Sequence, residues 1–190
     1  MFDPDGPVLG IDPGVSRCGY GVVGFRAGAL TVSAMGVIRT PRSAPLPERL
    51  AVLSGELDRL VREVRPSGLA VERVLFQANT RTAMSVGQAS GLALAIAGRA
   101  RVPVFHYSPN EVKLAVTGDG KADKAQVQAM VARLLALAKP PRPADAADAL
   151  ALCVCHLGSA GLRSAVGDQA TVVDGLARAV AAAVAGEEGR

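Results

Sequence analysis

No stretch of this 190-residue chain approaches the roughly 20 consecutive apolar residues that a membrane span needs, so a membrane protein is not expected. Cysteine is scarce: Cys18, Cys153 and Cys155 are the only three, and their odd number and the alternate spacing of the last two argue against a disulfide framework and for a reducing cytosol. Cys153-Val154-Cys155-His156 is not a usual structural zinc spacing, and no second pair of ligands accompanies it, so these residues are expected to pack an apolar helix. Met1-Phe2-Asp3-Pro4-Asp5 is acidic and the apolar stretch after it is short, which is unlike a signal peptide and predicts a cytoplasmic protein. Internal repeats and long linkers are absent, which keeps the chain to one globular domain. Lysine is rare as well. Only four occur, and three of them, Lys113, Lys121 and Lys124, flank Gly118-Asp119-Gly120.

What is present begins with an apolar fraction of 49% and a mean hydropathy of +0.28, enough to build a sizeable core. A net charge of +4, with a pI near 9.3, permits a polyanionic partner without requiring one. The placement of the lysines says more: a lysine-bordered loop suits phosphate contact by mobile point charges, although a solvated connection between helices would look the same.

Three strand-like runs open the chain, Val8 to Asp12, Gly19 to Phe25 and Leu30 to Ile38, the last two separated by the turn Arg26-Ala27-Gly28. Leu46, Leu50, Leu53, Leu57, Leu60 and Val64 then recur at three- and four-residue spacing behind Pro45-Leu46-Pro47-Glu48, which predicts an amphipathic helix ending near Pro66-Ser67-Gly68. Leu69 to Leu75 is a further buried strand, and a strand reached through a helical crossover normally lies parallel to an earlier one. The sheet is therefore expected to be mixed. Ala83 to Ala100 is an alanine- and glycine-rich helix whose Gly87, Gly91 and Gly98 would let another backbone come close; Val102 to Tyr107 is a short strand. Ser108-Pro109-Asn110-Glu111 has the form of a capping box and starts a helix at Pro109. Another helix is expected from Asp123 to Ala138, with Lys124 in its first turn against the preferred polarity of the helix dipole, a strain an external anion would relieve. Pro140-Pro141-Arg142-Pro143 precedes a last helix from Ala144.

Four carboxylates stand at the edges of these elements: Asp12, Glu72, Asp145 and Asp148. Asp145 and Asp148 are three apart and share a helix face. If the strand ending near Glu72 lies beside the one ending at Asp12, those two emerge at one sheet edge, where open α/β sheets place their sites. Each has an ordinary reading too: a turn residue, a solvated strand end, or two acids at a helix N-terminus. A convergent set is different, because ionised carboxylates in a partly dry place are costly unless a cation compensates them. Hard oxygen donors suit Mg²⁺ or Mn²⁺, and a pair of such ions can stabilise both the attacking and the leaving oxygen of a phosphodiester.

Gly10-Ile11-Asp12-Pro13-Gly14-Val15-Ser16-Arg17-Cys18-Gly19-Tyr20-Gly21 resembles the opening of the RuvC family of Holliday-junction endonucleases, and further motifs follow in that family's order. These are Ala70-Val71-Glu72-Arg73-Val74, Gly87-Gln88-Ala89-Ser90-Gly91, Val112-Lys113 with Thr117-Gly118-Asp119-Gly120 and Lys124-Ala125-Gln126-Val127, and Asp145-Ala146-Ala147-Asp148-Ala149-Leu150-Ala151 with His156. The resemblance implies an RNase H-like α/β fold with a mixed central sheet flanked by helices. It also implies a homodimer that hydrolyses two opposed strands of a four-way DNA junction with divalent metal, leaving 5′-phosphate and 3′-hydroxyl ends. It makes Asp12, Glu72, Asp145 and Asp148 the metal ligands and catalytic acids, two Mg²⁺ the cofactor with Mn²⁺ as substitute, and Lys113 and Lys124 DNA contacts. RuvA and RuvB, the branch-migration proteins, are the implied partners, and a nucleoid-associated place in a bacterial cytoplasm is the implied location. Lys121 has no matching position and is assigned to DNA by charge alone. Where the family commonly carries an aromatic wedge this chain has Leu75, with Phe76 one later; either is a candidate wedge, with core packing the preferred reading of Phe76.

The Asp-Pro-Gly turn also resembles the phosphate hairpin of actin-like ATPases, but a second glycine-rich phosphate loop and a two-lobed length are missing. An RNA-processing relative would keep the carboxylates without the lysine-region wording, and a noncatalytic junction binder would not need all four acids. The nuclease domain is expected over 1–157, followed by an alanine-rich extension over 158–190 in which Val172 to Val184 fit one helix and the end from Ala185 fits disorder.

Overall fold

A computed structural model describes residues 6–73 and 80–167. The elements in chain order are β1 (Val8–Asp12), β2 (Arg17–Arg26), β3 (Ala29–Arg39), α1 (Leu46–Val64), β4 (Gly68–Glu72), α2 (Thr80–Ala100), β5 (Val104–Tyr107), α3 (Pro109–Thr117), α4 (Lys124–Leu134) and α5 (Ala144–Gly167). The strands form one sheet in the order β3-β2-β1-β4-β5. β1, β2 and β3 pair antiparallel, whereas β4 lies parallel to β1 and β5 parallel to β4, so the expected mixed sheet is observed. A two-residue turn joins β2 to β3, and its Ala27 and Gly28 have positive φ of 51° and 80°, the handedness that matches strand twist in a tight hairpin.

Alternation along the strands divides the core in two. Val8 and Ala70 face α3, α4 and α5, while Leu9, Ile11, Leu69 and Val71 face α1 and α2 on the other side. α1 is amphipathic as its spacing predicts: Leu53, Leu57 and Val61 are buried, Leu50, Leu60 and Val64 pack partly buried against the same core, and Leu46 at the start is exposed. α5 is unlike it, with every residue from Ala149 to Leu157 buried, including His156, whose Nδ1 lies 2.7 Å from the Tyr107 hydroxyl. Glycines make room for that helix. A Cβ at Gly10 would meet the Ala149 carbonyl and Cys153 Sγ, one at Gly19 the Asp145 carbonyl, and one at Gly21 would stand 2.8 Å from Leu150 Cδ2. Backbone thus lies against backbone, and the first turns of α5 are held over the ends of β1 and β2.

Several boundaries differ from the sequence reading. β4 ends at Glu72; Val74, Leu75 and Phe76 lie outside the described residues, as do Val172–Val184 and the chain end. α4 stops at Leu134 rather than Ala138, because Ala136 turns left-handed at φ 50°, with its N–H donating to Arg133 O (3.1 Å) and that of Leu137 to Ala132 O (2.8 Å). This is a Schellman end built on alanine, which lacks the glycine signal that usually marks it. α5 runs unbroken through the expected 157/158 boundary to Gly167. Gly87, Gly91 and Gly98 have open space where a Cβ would stand, so among the described residues no backbone approaches them. The three cysteines are buried and none is in a disulfide.

Candidate active site

The parallel register of β1 and β4 builds the first half of the site. Val8 pairs with Gly68 and Ile11 with Val71, a constant offset that sets Asp12 beside Glu72 at the carboxyl ends of neighbouring strands. Both residues share the strand face of Gly10 and Ala70, the face that carries α5. α5 supplies the second half: Asp145 and Asp148 occupy its first two turns and come down onto this edge because Gly10, Gly19 and Gly21 allow the helix to lie close.

A cleft of about 300 Å³ opens here, lined by Asp12, Glu72, Lys113, Lys124 and Asp148 with the apolar side chains of α3, α4 and α5. Of the four acids, Asp145 does not line it. Its carboxylate is gripped by Arg17, whose Nε stands 3.0 Å from Oδ2 and 3.3 Å from Oδ1, with Nη2 also on Oδ2. Lys124 donates to Asp148 Oδ2 at 2.7 Å. The anion that relieves Lys124 at the start of α4 is thus a side chain of α5, not the external one the sequence suggested. Asp123 caps α4 in a full capping box with Gln126 and so fixes where Lys124 projects. Ser108 and Glu111 form the box expected for α3 and place Lys113 on the cleft wall. Lys121 is exposed on the loop after α3 and does not line the cleft; its backbone N–H donates to Asp119 Oδ1 at 2.8 Å.

Electrostatics mark the cluster as over-supplied with negative charge. Burial first, then the proximity of Asp148, Glu72 and Asp145, push the Asp12 carboxyl up from 3.8 to about 7, against the opposing pull of Lys124. Burial, then Asp148, raise Glu72 in the same direction, again opposed by Lys124. Asp145 moves the other way because its hydrogen bonds to Arg17 favour the charged form. Lys124 is raised by its bond to Asp148. As placed, no three Asp, Glu, His or Cys side chains among the described residues stand close enough to hold an ion unaided. The donor chemistry nonetheless fits a hard divalent cation: only carboxylate oxygens converge, and their mutual repulsion is what such a cation would remove.

Arg17 is the residue that sequence reasoning missed. It is separated from Asp145 by 128 positions, and nothing local in Ser16-Arg17-Cys18 announces the contact. The usable signal was its place at the start of β2, one tight turn after Asp12, which returns it to the same sheet edge.

A family model for the crossover junction endodeoxyribonuclease RuvC matches residues 8–156. A crossover junction endodeoxyribonuclease RuvC from Salinispora arenicola is 57% identical over 158 residues, covering 83% of this chain and 90% of that protein. Among solved structures, T. thermophilus RuvC in complex with a Holliday junction substrate superposes with a TM-score of 0.78 at 36% identity, over 83% of this chain and 96% of the other. The yeast mitochondrial Holliday junction resolvase Ydc2, at 13% identity and a TM-score of 0.60 over 95% of this chain and 86% of its own, shares the fold. An RNase H-like sheet, acids from two parallel strands and one helix, and these likenesses agree: the chain belongs to the RuvC family of crossover junction endodeoxyribonucleases and is a nuclease of Holliday junctions.

Proposed function

We propose that Asp12, Glu72, Asp145 and Asp148 are the catalytic carboxylates and metal ligands of this nuclease, and that it makes paired symmetric nicks with 5′-phosphate and 3′-hydroxyl ends. The observation that carries this reading is the side-by-side placement of Asp12 and Glu72 under the start of α5, in a cleft walled by lysines. Two Mg²⁺ ions, for which Mn²⁺ can substitute, would supply Lewis-acid activation of water and stabilisation of the leaving 3′ oxygen. The chain's own part is to hold and orient. The β1–β4 pairing fixes two carboxylates on rigid strand ends, and the glycine-lined seat of α5 fixes the other two. Lys113 and Lys124 present ammonium groups to backbone phosphates at the cleft, and Lys121 adds attraction from the loop. The apolar wall of Val112, Val127 and Leu152 limits water around the reacting phosphate. Leu75 or Phe76, just past Glu72 in the chain, is the proposed junction wedge.

A junction of two-fold symmetry needs two equivalent sites, which a homodimer supplies. Gly87 and Gly91, one turn apart on α2 and exposed, leave a surface against which a second copy's backbone can pack. RuvA and RuvB are the proposed partners in branch migration. The nuclease domain is assigned to 1–157 and the extension to 158–190. No described helix is long and apolar enough to cross a membrane, and action at the nucleoid in the cytoplasm is proposed.

The test is a synthetic four-way junction set against linear duplex and an RNA–DNA hybrid, each with Mg²⁺, Mn²⁺ or chelator, with end-labelled products. Selective, ion-dependent cutting of the junction is expected. Asp148→Asn should lower cleavage on the order of 10²- to 10³-fold or more while junction affinity in chelator is retained. Equal cutting by Asp148→Asn and the parent chain would remove the carboxylate assignment.

A further inference from the structure

Three arginines lie at the ends of β2 and β3 and the start of α1, next to Ser16 or Thr40 in the chain or bonded to them. Arg17 and Arg39 are direct cross-strand neighbours at the ends of β2 and β3. Arg49, at the start of α1, donates from Nε to Thr40 Oγ1 at 3.0 Å and from Nη2 to Ser16 Oγ at 2.5 Å. Thr40 is itself buried and anchored to Val15 O at 2.6 Å, so the Arg49 guanidinium is held in place by neutral hydroxyls. Among the described residues neither Arg39 nor Arg49 pairs with a carboxylate; only Arg17 does, with Asp145. Like charges directly opposite each other on neighbouring strands repel, and a preorganised guanidinium without an acid is a site for an anion. Arg17 keeps a side chain 38% exposed while paired to Asp145 at the start of α5.

Two facts at Arg17 belong together. Its planar fork grips Asp145, and Asp145 is the one acid of the four that does not line the cleft. We propose that a phosphate of the DNA strand running past the cleft binds at Arg17 and its cross-strand neighbour Arg39, and that by engaging Arg17 it releases Asp145 to turn toward Asp12, Glu72 and Asp148. Arg17 is then a positioning residue: without DNA it keeps the carboxylate set one member short, and with DNA the set is completed. Such an exchange uses the geometry of guanidinium, which forks phosphate as well as it forks carboxylate, and a lysine could not reproduce it. The inference rests on the metal-ligand reading of the four acids.

The test measures ion uptake, by titration calorimetry with Mn²⁺ on the full chain without DNA. Arg17→Gln should bind Mn²⁺ roughly three- to tenfold more tightly than the parent, the range a partly exposed forked ion pair accounts for. Arg17→Lys keeps the charge but loses the fork, so it should also bind more tightly; mere removal of a repelling charge would leave Arg17→Lys at the parental value. Adding Asp145→Asn to Arg17→Gln should abolish the gain. In chelator, Arg39→Gln should weaken junction binding and reduce the steepness of its salt dependence by about one phosphate contact, with Mn²⁺ uptake unchanged. Parental Mn²⁺ affinity in Arg17→Gln and Arg17→Lys, or a gain that survives Asp145→Asn, overturns the exchange. An unchanged salt slope in Arg39→Gln overturns the phosphate site. If the parent takes up Mn²⁺ and Asp12→Asn does not, the metal reading stands whatever these variants show; if no form takes up Mn²⁺, that reading falls and this inference with it.

Discussion

α1 and α5 lie on opposite faces of one sheet and are stabilised in opposite ways. α1 buries a single stripe of Leu53, Leu57 and Val61 and covers its outer side with ion pairs, Arg59 to Glu56 at 2.7 Å and to Glu63 at 3.2 Å, and Arg62 to Asp58 at 3.0 Å. α5 is buried over most of its described surface, and among the described residues its ion pairs sit at its beginning, where they tie up Asp145 and Asp148. One helix rests on the sheet by ridges of side chains; the other is pressed onto bare strand backbone at Gly10, Gly19 and Gly21. The first kind of contact tolerates adjustment, and the second fixes position to within an atom's width. It is the second that carries Asp145 and Asp148, two of the proposed metal ligands.

The same substitution on the two sides should therefore have opposite signs. Gly10→Ala drives a methyl into the Ala149 carbonyl and Cys153 Sγ, and is expected to destabilise the protein by about 3 kcal/mol or more in denaturant titration. Junction cleavage should fall as well, since α5 can relieve the clash only by carrying Asp145 and Asp148 away from Asp12. Survival of full stability would show that α5 is not seated as described. Next in size is Asp12 on the α5 face, whose carboxyl is raised to about 7 in the folded chain from 3.8. A raised acid favours the protonated folded form, so its contribution to stability is present below pH 3.8 and is lost as pH rises through about 7. In chelator, Asp12→Asn should remove that loss and leave the chain more stable than the parent at pH 8 by roughly 1–3 kcal/mol, read by thermal unfolding across pH. A pH profile identical in both chains would mean that neither burial nor the neighbouring acids raise Asp12.

On the α1 side, Gly55 has open space where its Cβ would stand, and Gly55→Ala should stabilise by about 0.5–1 kcal/mol through helix propensity alone. The smallest effect belongs to Arg59→Ala, which breaks two exposed, solvent-screened pairs on α1 and should barely move the unfolding midpoint, and less still in high salt. A larger cost would make the outer face of α1 more than a solvated surface.

How far the sequence could be read follows the same division. α1 was visible in its leucine spacing, α3 in Ser108 and Glu111, and the adjacency of Asp12 and Glu72 in the expectation of a helical crossover. Each of these signals is local or follows from a handed connection. The contact of Arg17 with Asp145 was not visible, because it joins residues 128 apart through the position of α5 rather than through any pattern. Nor was the pairing of Lys124 with Asp148, which depends on how α4 leans on α5. The end of α4 was misplaced because Ala136 adopts a left-handed turn with no glycine to mark it.

The parallel pairing of β1 with β4 has a temporal consequence. A chain emerging from the ribosome exposes Asp12 early, gains Glu72 as its neighbour only after the whole of α1 has crossed over, and receives the last two acids when the final described helix docks. No early fragment holds all four proposed ligands, so a cutting centre built from them would be complete only once α5 has been made and has docked.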